Sequence, residues 1–151
     1  MELKNKKTLI TGGSGGIGRA ITAAFLKEGA EVMLGGISTE ELNNVKRELS
    51  QRFPGANLEI YQADVSRNEE AKALAKKTIE AFGGIDVLVN AAGIYGPIGP
   101  SEKVDLAHWK KTFEVNTFGT FQMIREVVPV MQNQRKGKII NFSGGGDGPL
   151  S

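Results

Sequence analysis

Glycines stand out among the residues of this chain whose types could do chemistry. There are 20 of them in 151 residues, roughly double the usual share of about 7 per cent, and the densest run is TGGSGGIG at Thr11–Gly18. Glycines permit a tight turn and let a phosphate group approach the backbone, and the N-terminus of a following helix supplies free N–H groups. The run therefore predicts a pyrophosphate-binding loop formed by Gly12, Ser14, Gly16, Ile17 and Gly18.

The spacing of these glycines fits three motifs at once: TGxxxGxG, TGxxGxxG and GxGxxG. Such a motif is informative only when it follows a strand and opens a helix. The chain provides both, because an apolar run leads into Thr11 and an amphipathic pattern begins at Gly16. No Gly-Lys pair followed by Ser or Thr comes after the run, which disfavours a nucleoside triphosphatase. A dinucleotide is the favoured ligand.

Other polar residues stand where apolar runs end or where a helix would not favour them. Asp64 directly follows the third apolar run, where it serves either a ligand or only a turn. Asn116 lies in the middle of a helical pattern, where asparagine is unfavourable, so a functional role is favoured. Ser143 precedes three glycines at 144–146, a loop of the kind that surrounds a reacting centre.

Five apolar, β-branched runs predict the strands that position these residues, with helical patterns in the gaps. Strands alternating with helices of this length form right-handed βαβ units, and hence a parallel sheet covered on both faces. Two of the helices open with predicted capping boxes, Ser38-x-x-Glu41 and Ser66-x-x-Glu69. The predicted strands are Lys7–Thr11, Glu31–Gly35, Leu58–Ala63, Ile85–Asn90 and Lys138–Phe142.

The longest helix is predicted at Ala107–Gln132, with a kink at Pro129. His108 and Trp109 are interpreted as packing or surface residues, and the pair 110–111 as a solvated face. The apolar stripe of this helix is predicted to be Phe113, Phe121, Ile124, Val127 and Met131.

Composition describes an ordinary globular chain and excludes several function classes. A formal charge of +2 is too balanced for nucleic acid or a membrane surface to be the main partner. With no cysteine and one histidine, neither disulfides nor a metal site is predicted. The N-terminus has no signal-peptide pattern and no apolar stretch is long enough to span a bilayer. A cytoplasmic protein is therefore expected.

Taken together, these motifs resemble the short-chain dehydrogenase/reductase family, from Lys7 to the end of the chain. Asp64 and Val65 lie where the family's aspartate caps an adenine ring. The stretch Asn90-Ala91-Ala92-Gly93 matches the family's NAAG motif, which supports the sheet and lines the cofactor site. Asn116, within EVNTFG, matches the asparagine of the catalytic tetrad.

The resemblance implies a Rossmann-type doubly wound α/β fold, one NAD(P)-binding domain over residues 1–151, and hydride transfer between a nicotinamide cofactor and a carbonyl or alcohol. The family's serine would be the second of a pair, which places Ser143 at the first serine and Gly144 at the catalytic position. Either Ser143 or a backbone N–H of the glycine run is predicted to hold the substrate oxygen in its place. A tyrosine and lysine spaced YxxxK should follow beyond residue 151, and Tyr61 and Tyr95 match neither its position nor its spacing.

The sequence is therefore interpreted as an enzyme truncated before its proton donor, with a sheet incomplete on its C-terminal side. By itself it is expected to be inactive and prone to association, whereas the full-length form is expected to be a homo-oligomer. Two alternatives stay open: a non-catalytic dinucleotide-binding module, and a domain that binds another adenine-containing ligand such as a methyl donor.

Cofactor choice depends on the end of the second strand. An acidic residue there would bind the ribose 2′-hydroxyl and select NAD. Gly36 and Ile37 occupy this place, so neither that acid nor an arginine for a 2′-phosphate is present. The sequence therefore leans towards NADP(H) over NAD(H).

Overall fold

The structure is a computed structural model and describes residues 2–143. The strands in this range are β1 (Lys7–Thr11), β2 (Glu31–Gly36), β3 (Leu58–Gln62), β4 (Val87–Asn90) and β5 (Lys138–Asn141). The helices are α1 (Gly16–Lys27), α2 (Thr39–Arg52), α3 (Asn68–Phe82), α4 (Leu106–Phe113) and α5 (Thr120–Gln134), with the π-helical segment Glu114–Gly119 between the last two.

The strands form one parallel sheet in the order β3-β2-β1-β4-β5. Because β1 is central, the chain builds one half of the sheet and then crosses to build the other, which confirms the predicted doubly wound α/β fold. The crossing leaves a crevice beyond the carboxyl ends of β1 and β4, where folds of this kind bind ligands. Thr11 pairs with Asn90 at that end of the sheet.

Two hydrophobic cores cover the two faces of the sheet, as expected for strands whose side chains alternate. On one face, Leu9 and Leu88 pack among buried residues of α3 and α5. On the other face, Ile10 and Val89 pack among residues of α1 and α2. The polar residues that follow each strand are thereby held on a rigid, doubly covered layer.

Most boundaries lie within two residues of their predicted places, and β1 has its predicted bounds. The third strand ends at Gln62 rather than Ala63, although the Ala63 N–H still donates to Gly36 O at 2.8 Å. The first turn of α2 is capped as predicted, since Ser38 Oγ accepts from the Glu41 N–H at 3.2 Å.

The capping box predicted at Ser66 is wrong. Helix α3 begins at Asn68 with Arg67 at its N-cap, and no side chain caps it. The Ser66 hydroxyl instead donates to Asp64 Oδ1 at 2.6 Å. A competing acceptor two residues back therefore takes the serine away from the helix.

The single long helix predicted at Ala107–Gln132 is interrupted by the π-helical segment Glu114–Gly119. A wider turn changes the phase between the residues before it and those after it, so a single stripe counted at 3.6 residues per turn cannot continue through it. Phe113 and Phe121, predicted to be buried, are 45% and 58% exposed, whereas Met123 is fully buried. The rest of the stripe is correct, with Val127 and Met131 buried.

The last strand, β5, pairs with β4 and with no other strand in the described range. Ile140 on β5 is 41% exposed and Phe142 just beyond it is 50% exposed. The sheet is thus open on this side, as predicted. Among residues 2–143, no helix has both the length and the apolar character needed to cross a membrane.

Candidate nucleotide-binding site

A cavity of about 290 Å³ lies beyond the carboxyl ends of the strands. It is bounded by the turn after β1, the ends of β2 and β3, the chain after β4, and one face of α4 with the π-helical segment. Six of the residues predicted to bind cofactor line it: Gly12, Ser14, Asp64, Val65, Ala91 and Gly93. The turn residues Gly16, Ile17 and Gly18 and the strand residue Asn90 do not line it.

Gly12 makes the turn after β1 possible. Its φ is +69°, and a Cβ there would stand 2.5 Å from Ala91 O and 2.6 Å from Ala92 Cα. Only glycine adopts this backbone readily and leaves room for β4 to approach. The turn is fixed further by the Ala92 N–H, which donates to Thr11 Oγ1 at 3.2 Å.

The N-terminus of α1 is suited to an anion. No side chain in the described range caps this helix, and its first turn holds no acidic residue, so the first N–H groups are left for a ligand. By contrast, Ser38 caps α2 and Asp105 caps α4. A Cβ on Gly16 would meet nothing within 4 Å, whereas one on Gly18 would collide with the backbone of Gly12. Gly16 therefore keeps space open, and Gly18 lets the helix pack on the turn.

Asp64 stands at the end of β3 as an anchored carboxylate. Its Oδ1 accepts from the Ser66 N–H at 2.9 Å and from the Ser66 hydroxyl at 2.6 Å. Lys111 Nζ lies 3.8 Å from Oδ2. Partial burial alone would raise the pKa of Asp64, but the hydrogen bonds from Ser66 and the nearby cations lower it below its ordinary value. The group is therefore an anion and a hydrogen-bond acceptor at neutral pH.

Lys111 is a site residue that the sequence interpretation missed. It lines the cavity, and its ammonium donates to Ser66 Oγ at 3.0 Å and lies 3.6 Å from Glu114 Oε2. The interpretation of residues 110–111 as a purely solvated face is thus incomplete. Ala92, a member of the predicted NAAG stretch, also lines the cavity. So do Glu41, Ala63, Ile94 and Val115, which were not predicted as site residues.

Asn116 holds the chain that leaves β4. Its Oδ1 accepts from the Ile94 N–H at 2.8 Å and its Nδ2 donates to Ile94 O at 2.9 Å. Both polar atoms of the side chain therefore bind one residue of backbone, and Ile94 itself lines the cavity. The side chain joins the π-helical segment to the wall of the site.

Asn90 and Ser143 lie outside the cavity wall. Asn90 is 4% exposed and donates from Nδ2 to Asn141 Oδ1 at 2.9 Å, tying β4 to β5. Its own Oδ1 is buried and has no partner within residues 2–143. Ser143 is exposed just after β5, and Gly144, the position matched to the family's serine, lies outside the described residues.

The family model described as short chain dehydrogenase matches residues 6–147. The chain belongs to this family. Among curated proteins, it is 38% identical over 143 residues to 3-oxoacyl-(acyl-carrier-protein) reductase FabG of Thermotoga maritima, covering 95% of this chain and 57% of that protein. It is 34% identical over 137 residues to levodione reductase of Leifsonia aquatica, covering 91% of this chain and 51% of that protein.

Solved structures of short-chain dehydrogenases have the same fold. A crystal structure of levodione reductase superposes with a TM-score of 0.89 at 34% identity, covering 92% of this chain and 54% of that one. A crystal structure of NAD⁺-bound xylitol dehydrogenase gives a TM-score of 0.89 at 26% identity, covering 93% of this chain and 54% of that one. The chain thus spans little more than half the length of these relatives.

Proposed function

We propose that this short-chain dehydrogenase is an oxidoreductase that transfers hydride between NAD(P)(H) and a small carbonyl or alcohol substrate. The observation that carries the proposal is the cavity where the turn after β1, Asp64 with Val65, and the NAAG stretch meet. A site for a dinucleotide needs an anion position, a polar contact for adenine and an apolar wall. The uncapped N-terminus of α1 supplies the anion position, and the Asp64 carboxylate supplies the polar contact for adenine. Residues Ala91–Ile94 form the apolar wall.

The residues fit a nicotinamide dinucleotide, which would supply the hydride chemistry itself. The pyrophosphate would lie on the turn formed by Gly12, Ser14, Gly16, Ile17 and Gly18. Asp64 would accept a hydrogen bond from the adenine amino group and Val65 would pack beside the ring. Ala91 and Gly93 would form the wall beneath the cofactor, and Asn90 would support that wall by tying β4 to β5.

Asn116 and Ser143 are the proposed catalytic residues in this part of the chain. Asn116 fixes the backbone at Ile94 and is proposed to support the water that links to the family's lysine. Ser143 follows β5 at the carboxyl edge of the sheet, on the side where a substrate oxygen would approach. The proton itself is proposed to come from a tyrosine in a YxxxK segment, since neither Tyr61 nor Tyr95 lines the cavity.

NADP(H) is the proposed preferred cofactor, because no acidic residue occupies the end of β2 at Gly36. The family relation and the NAD⁺ bound by the xylitol dehydrogenase support pyridine nucleotides in general. Competitive binding that gives a tenfold or greater preference for NAD(H) would contradict this choice.

A homo-oligomer in the cytoplasm is proposed for the full-length form. The support for oligomers is apolar side chains of α4 and α5 that stay exposed, among them Trp109 and Phe121. The cytoplasm holds the pyridine nucleotides that the reaction consumes. No membrane or nucleic acid is proposed as a partner.

Two measurements separate this function from its alternatives. The full-length protein should quench or enhance NADPH fluorescence on binding and reduce a panel of small ketones and diketones. The 151-residue chain alone should show no reduction above background, since a general acid contributes about 10²–10⁴-fold to rate. Nucleotide binding without turnover by the full-length protein would favour the non-catalytic module. Binding of S-adenosylmethionine without NAD(P)(H) would contradict the proposal.

A further inference from the structure

Glu41 lines the cavity near the end of β2, and no role has been given to it above. We propose that Glu41 determines cofactor specificity: its carboxylate lies beside the adenosine ribose, where it sets how well a 2′-phosphate is tolerated. The inference rests on the proposed function, since it concerns the nucleotide that the same cavity would hold. Glu41 lines that cavity together with Gly36 and Ile37.

The position of Glu41 follows from close packing between α2 and the end of β2. A Cβ built on Gly36 would stand 3.2 Å from Leu42 Cδ2, tighter than an ordinary contact. The missing side chain therefore lets Leu42, 1% exposed, pack directly on the strand. Glu41, the preceding residue, is brought to the cavity by the same contact. Helix α2 therefore places an acidic residue at the cavity, although position 36 at the end of β2 has none.

The connection that carries Glu41 is held at both ends. Ser38 Oγ accepts from the Glu41 N–H at 3.2 Å. Gln62, the last residue of β3, donates from Nε2 to Ile37 O at 3.1 Å and accepts at Oε1 from the Thr39 hydroxyl at 2.9 Å. These bonds fix the backbone before and after the helix cap. The backbone of Glu41 is therefore held in place by the hydrogen bonds of the β2–α2 connection.

The carboxylate of Glu41 is not neutralised by any partner in the described part of the chain. Lys111, the cation in the cavity wall, is placed at Asp64 and Glu114. The guanidinium of Arg19 on α1 is paired with Glu48 of α2 at 2.5 Å. The end of β2 therefore carries a negative charge with no cation assigned to it.

A carboxylate that is not paired with a cation interacts differently with NAD(H) and with NADP(H). It can accept a hydrogen bond from a ribose 2′-hydroxyl, the interaction by which acids select NAD in dinucleotide folds. It repels a 2′-phosphate, and this repulsion is weakened by water and salt because the site is open. Because position 36 carries no acid, NADP(H) stays the proposed cofactor, and Glu41 limits how strongly it is preferred over NAD(H).

The test measures dissociation constants for NADPH and NADH with the full-length protein and the variants Glu41→Gln and Glu41→Lys. Removing the charge should tighten NADPH about threefold or more and weaken NADH slightly, and reversing it should shift the ratio of the two constants about tenfold or more. The shift should shrink as salt is raised from about 0.05 to about 0.5 M, because a charge effect is screened.

Glu40→Gln is the matched control. Glu40 lies in the same first turn of α2 and carries the same charge, but it does not line the cavity. Glu40→Gln should leave the ratio of the NADPH and NADH dissociation constants unchanged. If any negative charge near the N-terminus of α2 had this effect, Glu40→Gln would change the ratio as much as Glu41→Gln does. A ratio within twofold of wild type in both Glu41 variants overturns the inference alone. A wild-type protein that binds neither nucleotide overturns the proposed function, and this inference with it.

Discussion

Gly16 and Gly18 stand two residues apart in the turn after β1, and their surroundings are opposite. A side chain on Gly16 would enter open space, whereas one on Gly18 would press on the backbone of Gly12. Gly16→Val should therefore abolish NAD(P)H binding by filling the phosphate position, while the melting temperature changes little. Gly18→Val should lose binding and stability together. Fluorescence titration and thermal unfolding of the same samples separate the two effects.

Ala20→Val is the control for both variants, because Ala20 is exposed on α1 and a valine there adds the same β-branched helix residue away from the turn. Its nucleotide affinity should match that of wild type. If Gly16→Val also binds with unchanged affinity, the phosphate loop has been assigned to the wrong residues.

Ser143 offers a second test at the scale of one hydroxyl. If this group holds the substrate oxygen in place of the residue at 144, Ser143→Ala in the full-length protein should lower kcat by about 10-fold or more, the scale of one lost oriented donor. The KM for NADPH should stay constant. An unaffected rate would leave Ser143 with a structural role, and Ser143→Thr should recover part of the rate if its hydroxyl is what matters.

Of the residues that line the cavity, the sequence predicted several that belong to a local pattern and missed those that do not. Gly12 and Ser14 sit in a glycine run, and Asp64 directly follows a strand, so chain order alone placed them. Lys111 reaches Ser66 across 45 residues, on a helix whose orientation no local spacing gives. Glu41 was recognised only as a capping residue, because its approach to the cavity depends on how α2 packs on Gly36.

At the scale of elements, the π-helical segment carries Asn116 and fixes the chain beyond β4. Asn116→Leu removes both hydrogen bonds to Ile94 and leaves two backbone groups without their partner. We expect kcat to fall by about 10-fold or more, with a smaller change in nucleotide affinity, because the wall moves while the phosphate turn stays. Steady-state kinetics with the full-length protein give both quantities.

Thr117→Ala is the companion variant, since Thr117 is the exposed neighbour of Asn116 in the same segment. It should leave kcat within about twofold of wild type. Equal losses in the two variants would mean that the segment, and not the asparagine, is what the reaction requires.

The same segment explains where the prediction of elements failed. Apolar, β-branched runs predicted all five strands, because the strands of a parallel sheet covered on both faces are apolar at nearly every position. The long helix was counted at a constant period, and no residue in EVNTFG signals a wider turn. Phe121 was therefore assigned to the core and Met123 was not, although the structure has them the other way round.

At the scale of the whole molecule, Asp86 joins three strands at the end of the sheet opposite the cavity. Its Oδ2 accepts from the Lys7 N–H at 3.1 Å, and its Oδ1 lies 2.9 Å from Lys136 Nζ. The Lys138 N–H donates to the Asp86 carbonyl at 2.9 Å. Asp86→Asn should lower the free energy of unfolding at neutral pH by about 1–3 kcal/mol, the cost of weakening the hydrogen bonds of a buried carboxylate, as measured by urea denaturation.

This contribution should depend on pH in one direction. Burial alone would raise the pKa of Asp86, but Lys136 and the Lys7 N–H lower it below its ordinary value. The stabilisation is therefore fully present above the unfolded-state pKa of about 3.9 and is lost as pH falls through the lower folded-state pKa. The difference between wild type and Asp86→Asn should shrink below about pH 4.

Glu80→Gln is the control for Asp86. The pKa of Glu80 is also lowered, by Lys77, but the pair lies on the surface of α3. Surface pairs contribute little to stability, so this variant should unfold like wild type at neutral pH. An equal loss in the two variants would show that net charge, and not the contacts of the buried Asp86 carboxylate, sets the stability.

The strand order has a consequence for how the protein is made. Strands β1, β2 and β3 are neighbours both in the chain and in the sheet, and they share one core with α1 and α2. The opposite wall of the cavity forms only when β4 pairs with the free edge of β1. The hydrogen bond from the Ala92 N–H to Thr11 Oγ1 joins residues about eighty positions apart in the chain. On the ribosome, at about 5–20 residues per second, the phosphate turn is therefore completed several seconds before the wall that faces it. A nascent chain halted ahead of β4 contains three neighbouring strands of the sheet and still has nowhere to hold a nucleotide.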